Sequence, residues 1–127
     1  MQKQLINSGS IFEKEVAFSR AVVVDNMVFV SGCTGYDYQT MQISDDVAAQ
    51  TDQTFKNIIW ALEQAGSSLR DVVRVQYLVP NPDDFEKCWP VIKKYLGDIL
   101  PACTASCPQL ISKTIKIEIE VTAIKQG

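Results

Sequence analysis

Near the C-terminus the chain reads Ile115-Lys116-Ile117-Glu118-Ile119-Glu120-Val121-Thr122-Ala123-Ile124. Ile115, Ile117, Ile119 and Val121 fall on one side, and Lys116, Glu118, Glu120 and Thr122 on the other. Side chains alternate across a strand, so this pattern predicts a strand with one face in a core and one polar face. It is expected in the middle of a sheet. The functional question it raises is what Glu118 points at.

At 127 residues the length fits a single domain over 1–127. Hydrophobic residues at 46% and charged residues at 21% are enough for a core that needs no staples. The net charge of −3 and the lack of a Lys/Arg run argue against a nucleic-acid partner, which needs clustered cations. No apolar run is long enough to span a membrane. The N-terminal stretch has no apolar core of signal-peptide length, so the cytoplasm is the expected compartment. Histidine is absent, which removes Ser-His and Cys-His nucleophile pairs and any His general base or metal ligand. No metal and no cofactor are expected. The cysteines Cys33, Cys88, Cys103 and Cys107 form no Cys-x-x-Cys. On one strand Cys103 and Cys107 would be about 13 Å apart, beyond disulfide reach. Reduced thiols packed as small apolar groups are expected.

Along the chain, Lys3–Asn7 predicts a first strand, and Ile11–Ser19 a loop. Val22-Val23-Val24 leads through Asp25-Asn26 into Met27-Val28-Phe29-Val30, a tight hairpin. Both of its arms are apolar on both faces. Gly32-Cys33-Thr34-Gly35 marks a bend or a close backbone approach. Tyr36–Ile43 reads as a polar, aromatic loop. Ser44-Asp45-Asp46 caps a helix with the stripe Val47, Thr51, Phe55, Ile59, Leu62 and Ala65, ended by Gly66. Val72–Val79 is a strand. Asn81-Pro82-Asp83-Asp84 opens a second helix that buries Phe85, Cys88, Trp89, Ile92 and Leu96, is bent at Pro90 and stops at Gly97. Cys103–Leu110 and Ile115–Ile124 are the last strands. The order predicts an α+β domain, a mixed sheet with two helices on one face. The hairpin's second apolar face then needs another subunit, so a homo-oligomer is expected.

The chain resembles the YjgF/YER057c/UK114 family, also called RidA-like or reactive intermediate deaminases. The resemblance rests on Phe18-Ser19-Arg20-Ala21-Val22, Val28-Phe29-Val30-Ser31-Gly32 and Gln53-Thr54-Phe55-Lys56-Asn57-Ile58. Ala65-Gly66, Asp71-Val72-Val73, Asp84-Phe85, Pro101-Ala102 and Lys116-Ile117-Glu118-Ile119-Glu120 extend it over nearly the whole chain in the right order. It implies a chorismate-mutase-like fold, a homotrimer and small-molecule clefts between subunits. Many members hydrolyse enamines and imines to 2-keto acids and ammonia; others are described as endoribonucleases or translation inhibitors.

The resemblance also implies site residues. The family's catalytic Glu matches Glu118. The active deaminases carry an Arg after Pro-Ala that pairs with the substrate carboxylate, as suits a bidentate fork. Here that position is Cys103, and a thiol carries no positive charge. A site Tyr matches Phe18, and a helix Asn matches Trp89. Arg20, where many members have Gln, either brings a cation to the cleft or is a solvated or interfacial charge. Gly32 and the adjoining Cys33 are candidates at the cleft wall. The resemblance therefore implies either an imine or enamine hydrolase with a rewired cleft or a non-catalytic metabolite-binding trimer. RNA cleavage is disfavoured by the charge and the missing His.

Overall fold

In the computed structural model, which describes residues 2–126, the strands form one six-stranded sheet and one short ribbon. The large sheet has the order β1 (Lys3–Ile6), β2 (Ala21–Val24), β3 (Met27–Thr34), β8 (Glu118–Ile124), β6 (Val72–Leu78), β7 (Ala102–Ser106). All pairings are antiparallel except β6 with β7. The alternating C-terminal strand is central, between β3 and β6. Ile119, Val121 and Ala123 are buried in it, while Glu118, Glu120 and Thr122 are only half-buried on the other face. The domain is α+β, with α2 (Val47–Gln64) and α3 (Pro82–Leu96) as its long helices.

Local chemistry explains most boundaries. Asp25 takes a positive φ of 54°, which Asp tolerates, and the β2–β3 hairpin closes in register from Val24↔Met27 to Ala21↔Val30. The Asp46 carboxylate accepts from Ala49 N at the start of α2. Gly66, at φ 77°, follows its end. Asn81 caps α3 by accepting from Asp83 N, ahead of Pro82. Phe55, Ile58, Ala61 and Leu62 of α2 meet Val28, Val30, Ile119 and Val121 of the sheet in one core. Each fully buried large side chain there contributes about 1.5–3 kcal/mol.

Several expectations need correction. Residues 11–19 hold a short helix, α1 (Ile11–Val16), not only a loop. Ser10 caps it, and Glu13 on it is drawn into the interior by Arg20, a tertiary contact that no six-residue pattern reveals. Tyr36–Ile43 is not all loop either: β4 (Tyr36–Asp37) pairs with β5 (Gln42–Ile43). The central strand begins at Glu118, not Ile115. Ile115 and Ile117 are buried, yet Lys116 N bonds to the side chain of Gln50 and to no neighbouring strand. The next-to-last strand stops at Ser106, not Leu110. Trp89 is 51% exposed and not part of a buried stripe. Cys33 and Cys88 are packed thiols as expected. Cys103, on the edge strand β7, and Cys107, just past its end, are exposed.

Gly35 answers to a close approach. A Cβ there would come 2.6 Å from the Cα of Gln50 in α2, backbone that cannot swing aside. Gly35→Ala should therefore cost about 1–3 kcal/mol by overpacking. Urea denaturation would read this as a lower midpoint at unchanged slope. Gln50 is itself fully buried. Its amide donates to the carbonyls of Ser44 and Thr114 and accepts from Lys116 N, so one side chain pins the segment that leads into Glu118.

Candidate functional site

Phe18, Arg20, Gly32 and Glu118 come together in a pocket of about 350 Å³ at the C-terminal end of β3 and the start of β8. Phe12 and Val16 of α1, Tyr36 and Tyr38 from the β4 region, and Ile111, Ser112 and Ile115 from the segment before β8 complete its wall with Thr34. The pocket is thus mostly apolar and aromatic, with one cation and one anion.

Arg20 is only 2% exposed, so it is not a solvated charge. Its Nε donates to Glu13 Oε2 at 3.2 Å, and its Nη1 to the Gly32 carbonyl at 2.9 Å and to Cys33 Sγ at 3.6 Å. Its guanidinium carbon lies 4.4 Å from the centre of the Tyr38 ring and 5.4 Å from that of Phe18. Two neighbouring rings suit a weakly hydrated planar cation. Glu13 is fully buried too, and it accepts from Ser8 N at 2.8 Å and from the Ser8 hydroxyl. A buried pair needs such further bonds to offset its desolvation. Cys33 reaches the pocket only through Arg20. Its thiol is wholly buried, and burial pushes its pKa up to about 11 against the pull of Arg20, so it stays neutral. The Tyr38 phenol is likewise pushed up to about 12 by burial, and it accepts from Thr34 N at 3.0 Å.

Glu118 stands opposite Thr34 of β3 and Leu78 of β6. Burial raises its carboxyl above the usual carboxylate range, Glu120 on the same face adds to that, and Arg20 opposes it. Among the described residues its carboxylate has no hydrogen-bond donor and no ion-pair partner. It lies over Gly32, where a Cβ would meet its Oε2 at 2.5 Å. Gly32 therefore serves as the space that the carboxylate occupies. Because the obstacle is the far end of a flexible side chain, Gly32→Ala should change stability by less than about 1 kcal/mol. It should swing the carboxylate away and reduce any Glu118-dependent activity by at least about tenfold. Comparing kcat/KM with the urea midpoint of the same variant checks both halves.

Trp89 and Cys103 lie elsewhere in the chain. They line a groove of about 870 Å³ between α3 and the sheet edge, with Tyr77, Phe85, Leu96, Leu100 and Pro101. Cys103 pairs with Val75, which pairs with Val121. It is therefore on the helix side of the sheet, two strands away from β8 and on the opposite face from Glu118. Although Cys103 is exposed, partial desolvation against this apolar groove raises its thiol above the ordinary value, so it is a poor source of thiolate.

Sequence reasoning missed Glu13, which carries no periodic signal and matters only through its contact with Arg20. It also missed Gln50 and Asn57. The Asn57 amide donates to the Thr34 carbonyl at 2.9 Å and to that of Tyr36 at 2.8 Å, holding the turn that supports the pocket. Gln50 is buried and Asn57 half-buried, and neither contact is announced by a local pattern in the sequence. No helix among the described residues is long and apolar enough to cross a membrane.

The profile of the endoribonuclease L-PSP family matches residues 9–125. A RutC family protein of Pyrococcus abyssi is 36% identical over 110 residues, covering 86% of this chain and 87% of that protein. Human 2-iminobutanoate/2-iminopropanoate deaminase is 33% identical over 109 residues, covering 85% of this chain and 80% of that protein. Among solved structures, a Mycobacterium tuberculosis member of the YjgF/YER057c/UK114 family superposes with a TM-score of 0.84 at 34% identity, covering 97% of this chain and 99% of the other.

Proposed function

This chain belongs to the endoribonuclease L-PSP, or YjgF/YER057c/UK114, family, and we propose that it hydrolyses an imine or enamine to a carbonyl compound and ammonia. The observation that carries this reading is Glu118: an unpartnered carboxylate, raised by burial, in a small aromatic pocket. Relatives named as 2-iminobutanoate/2-iminopropanoate deaminases support the reaction class. Glu118 orients a water and takes its proton as the oxygen bonds to the imine carbon. Glu118 passes that proton to the nitrogen and then relays the hydroxyl proton to it as well, so the C–N bond breaks as the carbonyl forms and ammonia leaves. The test is ammonia release from an imine generated in situ, wild type against Glu118→Gln. Equal release by the two proteins, or none by either, would sink the proposal.

The working form we propose is a cytoplasmic homotrimer whose clefts lie between subunits. Leu5, Met27 and Phe29 support this, since they leave apolar surface on the helix-free face of the sheet, with Phe29 43% exposed. Phe29→Glu should convert trimer to monomer in sedimentation equilibrium; a wild-type monomer would refute the assembly.

A second reading is a metabolite-binding trimer without turnover. Cys103 favours it, standing where the resemblance places the substrate-binding Arg, beside an apolar groove walled by Trp89 and Phe85. RNA cleavage has the least support, given the net charge of −3 and the absence of His.

A further inference from the structure

Among the described residues, Arg20 and Glu118 are the only charged ones that line the pocket, and they are not equally available. Arg20 is already committed. A guanidinium binds a carboxylate through two adjacent N–H groups, either Nε with Nη2 or Nη1 with Nη2. Here Nε is taken by Glu13, and Nη1 by the Gly32 carbonyl and the Cys33 sulfur, so both forks are broken. The charge of Arg20 is balanced by a Glu13 carboxylate that is itself buried. An incoming carboxylate would find one free nitrogen, with Glu13 and Glu118 close by to repel it.

Glu118 is in the opposite state. It has no partner among the described residues, and Glu120 on the same strand face adds to the negative field. The rings of Phe12, Phe18, Tyr36 and Tyr38 surround the space beside it. Phe12 and Tyr36 stand edge to face with centroids 6.2 Å apart. An open carboxylate among aromatic walls is the arrangement that attracts an organic cation, through charge and through ring faces. The volume of about 350 Å³ suits a ligand with a single ring.

We infer that this pocket takes an organic cation, an ammonium or protonated imine that carries an apolar or aromatic substituent and no carboxylate. The binding inference stands on the pocket alone. Its extension to a substrate, an acid-free imine in place of a 2-imino acid, rests on the hydrolysis proposed above.

Benzylamine and benzoate are matched probes, differing in the sign of their charge. Titrated calorimetrically into the intact protein at neutral pH, benzylamine should bind and benzoate should not. Glu118→Gln should weaken benzylamine at least about tenfold, the loss of one charge-assisted contact. Glu13→Gln, which removes the negative charge that balances Arg20, should instead gain benzoate binding. Should Glu13→Gln fail to fold, the wild-type comparison and Glu118→Gln still decide the matter. Benzoate binding tighter than benzylamine in the wild type, no binding of either, or benzylamine binding unchanged in Glu118→Gln would each overturn the inference.

A second pair separates this from the hydrolysis reading. Imines are generated in situ from benzylamine by a flavin amine oxidase and from phenylglycine by a flavin amino-acid oxidase. Faster ammonia release from the benzylamine-derived imine is the expected result. Release from the phenylglycine-derived imine alone would refute the acid-free substrate and leave hydrolysis standing. Release from neither, with benzylamine still bound, would refute hydrolysis and leave the cation site standing.

Discussion

Glu118→Gln is expected to reduce ammonia release by about 10²–10⁴-fold, the range that a positioned general base supplies. The amide keeps the shape of the side chain and loses its ability to take a proton, so KM should move less than kcat. In the wild type, activity should fall as pH drops through the raised titration of Glu118, because the base is then protonated. A profile with the same acid limb in the variant would show that another group carries the proton. Stability should move the other way. Glu118 titrates higher in the folded chain than in the unfolded one, chiefly because burial disfavours its charge. The folded state therefore binds the proton more tightly. Stability is lost as pH rises from the ordinary carboxylate value through the raised one. Glu118→Gln removes this loss, so it should melt higher than the wild type at neutral pH, with the difference closing at acid pH. Thermal melts of both proteins across that window measure it.

Glu13→Ala should be the most destabilising of the substitutions considered, at about 3–5 kcal/mol, because it strands the Arg20 guanidinium without its buried counter-charge. Arg20 is 2% exposed and cannot turn to water without giving up its contacts with Phe18 and Tyr38. The melting temperature should fall by more than about 10 °C for a domain of this size. The double variant Glu13→Leu/Arg20→Met should recover most of that loss, since two apolar groups leave no uncompensated charge. No recovery would mean that the hydrogen bonds from Ser8 and to Gly32, and not the charge pair, hold this corner. The Ser8, Glu13 and Arg20 cluster ties α1 to β2 and β3, so its loss should also loosen the Phe12 and Val16 wall of the pocket.

The sequence by itself determined the scaffold. Alternation in Ile119–Ala123, the two-residue hairpin turn at Asp25-Asn26, and the capped stripes of α2 and α3 are local signals. Strand periodicity, turn tolerance and helix capping act within a few residues, so they can be read without knowing what packs on them. The placement of Glu118 on the polar face of a central strand was legible for the same reason.

Only the tertiary structure decided the chemistry of the site. Whether Arg20 was a free cation or a committed one turned on Glu13, seven residues earlier, and on a carbonyl and a thiol of β3. Whether Gly32 was a turn or a space for a carboxylate turned on β8, far along the chain. That Cys103 and Trp89 share a groove apart from Glu118 turned on strand order and on the face of β7 that Cys103 turns toward α3. Pairing, desolvation and side-chain direction are properties of neighbours in space. A sequence names the charged groups of a pocket, and only the fold shows which of them is still free to meet a ligand.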